Sequence, residues 1–296
     1  MRLLLIVNER AASGKHAGSL PRILEALAAR GVSAEAATTL PGGRTASLVG
    51  AADLSGYDGL VAVGGDGTLF EVLNGLLQHA PEARPPLGVV PLGTGNAFSK
   101  DLGLADRDWR AAVDKLTRGS TFRVDVGHAA TPSDAFHFLN IIGLGLPVAA
   151  GQVANRLKWA GPGAYTLGTL WQLRRLRTVP LRLRLDGRPL ERDGLLIEAS
   201  NSRYTGTHFL IAPAARLDDG LLDVTLVAGL TRRRLLRLLP TVYSGGHLRF
   251  EEVSTWQVRE LCIDAPADLP LSVDGELRGT SPVTIRCLPR AVEMFC

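Results

Sequence analysis

No apolar run in this chain is long enough to cross a bilayer, so a helical membrane span is excluded. Dense basic runs with interleaved aromatics are also missing. Nucleic acid is therefore not expected as a partner, although the formal charge is +4 and the pI is near 9.2. Cysteine is scarce. Cys262, Cys287 and Cys296 are odd in number, far apart and without metal-ligand spacing, which reads as reduced thiols in a cytosolic protein. Repeats and low-complexity linkers are absent, and the apolar start Leu3 to Val7 is too short for a secretory signal and reads as a first buried strand. What remains is ordinary globular material: 296 residues, 46% hydrophobic, enough for two domains. Its mild basic excess comes mostly from arginine and suits attraction to anionic nucleotides or a phospholipid surface.

The organising stretch is Asp58 to Leu77. Leu60 to Val63 form a continuous apolar run, as in a strand buried on both faces, and Leu69, Val72, Leu73, Leu76 and Leu77 recur at helical spacing. Between them, Gly64-Gly65-Asp66-Gly67 allows a tight turn and close approach of backbone to a ligand, while the helix start favours phosphate. Asp66 would repel that phosphate unless Mg²⁺ lay between them or the carboxylate took up a proton during reaction. As a plain turn, the same stretch would place Thr68 and Glu71 in a capping box.

Around this stretch the spacing predicts strands at Leu3 to Val7, Val32 to Ala37 and Leu87 to Val90. Helices are predicted from Ser19, as N-cap, to Gly31 and over Thr45 to Ala52. Alternation of strand and helix argues for a parallel sheet covered by helices, with ligands at the C-terminal ends of the strands. A second glycine loop, Gly93-Thr94-Gly95-Asn96, follows the Leu87 strand as the first follows the Leu60 strand. Asp106 to Arg118 reads as an amphipathic helix. Beyond it, Phe122 to Ala129 and Phe136 to Ile142 read as a hairpin, and strands are expected at Leu181 to Leu185, Leu195 to Ala199, Leu222 to Val227, Leu261 to Asp264 and Val283 to Cys287. Two arginine-rich helical stretches interrupt this half. One is Val148 to Leu176; the other is Arg232 to Leu239 behind Thr231, a good N-cap. Either can be a solvated face or an interfacial membrane helix.

Gly-Gly-Asp-Gly-Thr with Glu71, Asn74 and Gly75, followed by Pro-Leu-Gly-Thr-Gly-Asn-Ala-Phe with Leu102 and Gly103, resembles the catalytic domain of diacylglycerol kinases. That group includes sphingosine and ceramide kinases and soluble bacterial lipid kinases. NAD kinases share the first motif, and the second points to the lipid branch. The resemblance implies an α/β N-terminal domain with a parallel sheet, residues 1–125, and a mainly β C-terminal domain for the lipid, residues 126–296. It also implies an ATP-dependent lipid kinase using Mg²⁺. Nucleotide contacts carry over to Asn8, Thr39, Gly65, Asp66, Gly67, Thr68, Leu69, Phe70, Glu71 and Thr94, with Ser13 and Gly14 in a first loop that departs from the family pattern and Thr38 as the alternative to Thr39.

Further resemblance lies toward the C-terminus. Ala212 to Leu222 matches a segment that binds structural Mg²⁺ through one carboxylate and two main-chain carbonyls, here Asp219 with Arg216 and Leu221; by itself Asp218-Asp219-Gly220 would be a hairpin turn. Asp274-Gly275-Glu276 matches a motif whose glutamate accepts the proton, which makes Glu276 and Asp66 the catalytic pair. The partners implied are ATP and a lipid acceptor, with peripheral contact at the inner, anionic membrane face and a cytoplasmic location. A homodimer is compatible with this. A NAD kinase-like enzyme acting on a soluble nucleotide, and a non-enzymatic lipid or nucleotide sensor, are the alternatives.

Overall fold

The computed structural model describes residues 1–9, 18–39, 44–105, 107–145, 148, 178–206, 208–266 and 268–296. The predicted helix Val148 to Leu176, Ser13 and Gly14 lie outside these residues, apart from Val148 itself. The chain divides into two compact units, Met1–Val124 with Arg290–Cys296, and Asp125–Pro289. Sequence reading places one boundary at 125; the return of the last residues to the first unit is a difference from it.

The first unit begins with β1 (Arg2–Val7), α1 (Ser19–Ala28), β2 (Ser33–Thr38), α2 (Thr45–Ala51), β3 (Gly59–Gly64) and α3 (Asp66–Leu76). It continues with β4 (Leu87–Pro91), α4 (Ala97–Asp101) and α5 (Trp109–Arg118). Strands β4, β3, β1 and β2 lie side by side in that order, all parallel, with Leu5 opposite Ala36 and Val61. Only β3 and β4 are buried throughout, which is why they read as unbroken apolar runs; edge strand β2 is largely exposed. Ile23 and Leu27 of α1 and Val72, Leu73 and Leu76 of α3 complete the core.

Two helix starts differ from expectation. The N-cap of α1 is Gly18, with Ser19 already helical and no capping side chain. Helix α5 begins at Trp109, because the Asp108 carboxylate accepts a hydrogen bond from the Ala111 N–H, 3.0 Å.

The second unit is mainly antiparallel sheet. Strand β5 (Thr121–Ala130) enters it from the first unit and pairs with β6 (Ala135–Phe138). There follow β7 (Ile141–Gly145), β8 (Val179–Leu185), β9 (Arg188–Ser200), the short pair β10 (Tyr204–Thr205) and β11 (Phe209–Leu210), and β12 (Leu222–Ala228). After helix α6 (Arg232–Leu238) come β13 (Val253–Val258), β14 (Glu260–Asp264), β15 (Pro270–Val273), β16 (Glu276–Thr280) and β17 (Val283–Phe295). Neighbours run β16, β15, β7, β9, with β12 also on β9 and β13 outside it. The long β9 turns its first half to β8, which continues to β14 and β17. The expected arm Phe136 to Ile142 is two strands, broken at Leu139 and Asn140.

Strand β17 leaves the second unit at Pro289, and Met294 pairs in parallel with Leu87 of β4. No helix among the described residues is long and apolar enough to cross a membrane.

Candidate active site

The two glycine loops meet at the C-terminal edge of the parallel sheet. A Cβ added to Gly93 would sit 2.3 Å from the Gly65 Cα, so backbone packs directly on backbone there and any side chain would force the loops apart. Leu92 and Gly93 both donate their N–H to the Gly64 carbonyl, 2.8 and 3.1 Å. Asn96 adopts left-handed backbone, φ 49°, and its Nδ2 donates to the Gly93 carbonyl, 3.0 Å.

Asp66 joins the loops electrostatically. Its carboxylate accepts from the N–H groups of Ala97, 3.0 Å, and Phe98, 3.3 Å, at the start of α4.

The remaining nucleotide candidates fall into two groups. Asn8 follows β1, donates its N–H to the Val63 carbonyl, 2.9 Å, and its Nδ2 to the Thr68 hydroxyl, 3.1 Å. Thr68 is thereby committed to Asn8 and caps nothing, while Glu71 accepts from the Thr45 N–H, 3.2 Å; the capping box does not form. Leu69 and Phe70 are buried core of α3, so only their backbone could face a ligand. Gly65 and Gly67 lie at the amide-rich start of that helix, Thr94 is exposed on the second loop, and Thr39 is half-buried just past β2, its N–H bonded to the Val7 carbonyl, 2.9 Å. Asn8, Gly65 to Thr68 and Thr94 therefore share one edge of one sheet, and Thr39 stands at the same end of a neighbouring strand.

In the second unit, Glu276 opens β16 and is exposed, presented by a two-residue turn whose Asp274 and Gly275 both have positive φ, 48° and 87°. Asp274 does more than turn the chain. Buried, it accepts from the N–H groups of Leu139, 3.1 Å, Asn140, 3.0 Å, and Ile141, 2.9 Å, which is what breaks the strand between β6 and β7. From the other side Asn201 Nδ2 donates to the carbonyls of Leu139 and Asp125, both 2.9 Å, and Ser202 Oγ donates to Asn140 Oδ1, 2.9 Å. The Asp125 carboxylate then accepts from the Gly220 N–H, 2.6 Å. A continuous hydrogen-bonded path thus runs from the Asp219-Gly220 turn through Asp125, Asn201 and Leu139 to Asp274 and the Glu276 hairpin. Sequence reasoning singled out neither Asp125, Asn140 nor Asn201 for such a role, since their spacing from the motifs carries no signal.

The proposed metal segment is a turn with charge stored around it. Asp219 accepts from the Leu221 N–H, 3.0 Å, and Arg216 pairs with Asp218, 3.3 Å, rather than with Asp219. Burial, and then Asp219, push the Asp223 carboxyl up to about 6; burial, Asp125 and Asp219 push the Cys287 thiol up to about 12. The gathering of Asp125, Asp219 and Asp223 near this turn would suit a hard cation. One carboxylate, the Arg216 and Leu221 carbonyls and water would suffice for Mg²⁺, and no cage of three or more His, Cys, Asp or Glu exists among the described residues.

One buried acid stands apart. Glu198 lies on β9 opposite Gly143 and Thr225; burial pushes its carboxyl up to about 8, and its Oε2 has no hydrogen-bond partner among the described residues. A recess of about 720 Å³ elsewhere in this unit is lined by Thr178, Leu195, Leu230, Thr231, Arg234 and Glu252 among others, none of them a motif residue.

Residues 2–129 match the diacylglycerol kinase catalytic domain, and residues 140–296 match the YegS C-terminal NAD kinase beta sandwich-like domain. A diacylglycerol kinase of Mycobacterium tuberculosis is 33% identical over 251 residues, 84% of this chain and 80% of the relative. A diacylglycerol kinase of Staphylococcus carnosus is 30% identical over 81% of this chain and 76% of its own length. Among solved structures, a diacylglycerol kinase from Bacillus anthracis is 25% identical with a TM-score of 0.76. Another chain from that organism reaches 29% and 0.82, each pairing covering 99% of this chain and 96% of the other. With both family domains matched in order and relatives this similar along most of its length, the chain belongs to the diacylglycerol kinase family.

Proposed function

We propose that this lipid kinase transfers the γ-phosphate of ATP to a hydroxyl of diacylglycerol or a closely related lipid, with Glu276 taking the hydroxyl proton. The observation that carries the reading is the backbone-on-backbone junction of Gly65 and Gly93, fastened by Asp66, which supports a phosphate cradle at the sheet edge. In this reading the N–H groups of Gly65, Gly67 and Thr94 hold the phosphates, and Asn8 keeps Thr68 in place beside them. Phosphoryl transfer depends mainly on positioning and charge stabilisation. Asp66, held by its two amide bonds, serves as the anchor for Mg²⁺ or the acceptor hydroxyl. Mg²⁺, when bound, would neutralise charge developing on the phosphates; a second, structural Mg²⁺ would be held by Asp219 with the Arg216 and Leu221 carbonyls.

Glu276 suits a base because its hairpin is rigid where it matters. Asp274 fixes the turn to three backbone amides, and the glutamate itself is exposed at the strand start. A cytoplasmic protein working at the inner membrane face is consistent with this reading.

The decisive experiment incubates the protein with labelled ATP and, separately, NAD, diacylglycerol micelles and a whole lipid extract analysed by mass spectrometry. Phosphate gain by diacylglycerol is the expected result; phosphorylation of NAD with no lipid product would refute the acceptor assignment.

A further inference from the structure

Helix α6 and the 3-10 segments after it, Leu239–Ser244 and Gly246–Arg249, have two unlike sides. On the inner side Leu235, Leu238 and Val242 pack with Leu195, Phe209, Ile211 and Val227. His247, fully buried, donates from Nε2 to the Ile211 carbonyl, 3.0 Å, and burial favours its neutral form, so this fastening survives mild changes of pH. The segment is a firm platform.

Its outer side is both apolar and cationic. Leu236 is 48% exposed, Tyr243 48% and Leu248 38%; of the large apolar side chains exposed in this unit, only Leu277 lies elsewhere among the described residues. Residues 228–250 contain five arginines and no aspartate or glutamate. Arg234 is turned away, ion-paired with Glu252 at 2.8 Å and Glu251 at 3.5 Å and set over the Phe250 ring. Arg232, Arg233, Arg237 and Arg249 are exposed on the same segment as the three apolar side chains, with Arg232 and Arg233 at helical spacing from Leu236. A strongly hydrated cation patch alone would be a solvated face, and a leucine patch alone would favour another protein. Single apolar side chains set among cations of uniform sign match an anionic bilayer, where the former enter the headgroup boundary and the latter meet phosphates.

We propose that this surface docks on an anionic phospholipid bilayer, with Leu236, Tyr243 and Leu248 inserted and Arg232, Arg233, Arg237 and Arg249 on the headgroups. It delivers the enzyme to its acceptor, and in that respect it rests on the lipid-kinase reading. Arg234 takes no part; it holds the platform together.

Sedimentation of the full chain with phosphatidylglycerol–phosphatidylcholine vesicles, and with phosphatidylcholine alone, tests this. Binding should require the anionic lipid and weaken with salt. The triple change Arg232→Gln, Arg233→Gln, Arg237→Gln should weaken it about a hundredfold, from roughly fivefold per arginine. Leu236→Ser with Tyr243→Ser and Leu248→Ser should abolish insertion. The arginine triple alters exposed positions and should leave the melting curve unchanged; Tyr243 also packs on the Phe209 ring, 4.8 Å between centroids, so Leu236→Ser with Leu248→Ser is the control for any loss of stability in the serine triple. Phosphorylation of a water-soluble, short-chain diacylglycerol should be unchanged in both. If no lipid is phosphorylated while vesicle binding still follows these residues, the acceptor assignment falls and the surface stands. Equal binding to neutral vesicles, or anionic binding indifferent to both triples, overturns the surface. So does a dimer that the serine triple dissociates while vesicle binding persists, since the face would then be a subunit interface.

Discussion

The first unit orders its candidate loops with backbone, the second orders its candidate hairpin with buried side chains. At Gly65 and Gly93 two main chains touch because no side chain stands between them, and one carboxylate, Asp66, bridges to two amides. At the Glu276 hairpin the main chain turns through Asp274 and Gly275 at positive φ, and order comes from the Asp274 carboxylate inside the fold, with Asn201 and Asp125 behind it. Glycine loops leave a fixed imprint on sequence, since only one residue type allows the contact. Buried polar networks leave little, because the partner of Asp274 is the backbone of Leu139 to Ile141, whose side chains are irrelevant to the bond.

The comparison is tested most severely by Asp274→Ala. Three buried N–H groups would lose their acceptor, and bonds to a charged group contribute about 1.5–3 kcal/mol each. Loss of roughly 3 kcal/mol or more, read in urea melts, is expected together with a fall in turnover. A stable Asp274→Ala protein with normal turnover would reduce Asp274 to a turn residue.

Next in size is Glu276→Gln, which keeps shape and removes basicity. Turnover should fall about a hundredfold or more, about 2.7 kcal/mol of transition-state stabilisation, with ATP affinity little changed. Asp66→Asn should also slow turnover, but with a shift in Mg²⁺ dependence that Glu276→Gln lacks. Near-normal rates for Glu276→Gln where chemistry is limiting would move the base to Asp66.

Gly93→Ala probes the backbone side of the comparison. Its Cβ would overlap the Gly65 main chain, which cannot yield as a flexible side chain can, and overpacking of this kind costs about 1–3 kcal/mol. ATP affinity should drop, measured by calorimetry, while the second unit's contribution to stability stays intact. Undiminished affinity in a folded Gly93→Ala would show that the loops need not touch to bind phosphate.

The gentlest test varies pH. Glu198 has a folded pKa of about 8 against an ordinary 4.5, so between these values the folded protein keeps a proton that the unfolded chain releases. Stability should therefore fall as pH rises through that window, by at most about 1.4 kcal/mol per unit, and level off above it. Glu198→Gln should flatten the slope in urea melts at pH 5, 6, 7 and 8. An unchanged slope would assign it to other groups, with Asp223 the first to examine.

Much of this molecule was legible beforehand for reasons that differ by region. Strands β1, β3 and β4 announced themselves because burial on both faces demands uninterrupted apolar residues. The two glycine loops and the mainly β second half, read with the family resemblance, were enough for the fold class and the kinase family. Strand β15 escaped notice as a short piece carrying Pro270, and β13 because Trp256 and Gln257 alternate across a largely solvated edge. Arg234 looked like its neighbours in sequence; its half-buried position and its pairing with Glu252 leave no mark there.

One more consequence follows from the path of β17. The second unit is an insertion, entered at Asp125 and left at Pro289, and the strand that returns places Met294 against Leu87 and the Phe295 ring beside Gly59 and Gly88. During synthesis the first unit emerges first, yet the side of β4 away from β3 waits for residues 290–296. Until they arrive, Leu87 at the start of β4 lacks its parallel partner and the faces of Gly59 and Gly88 lack the Phe295 ring, leaving apolar strand surface that invites contact with another chain. Fragments ending near residue 125 should accordingly be poorly soluble, because the first unit completes its core only with residues 290–296.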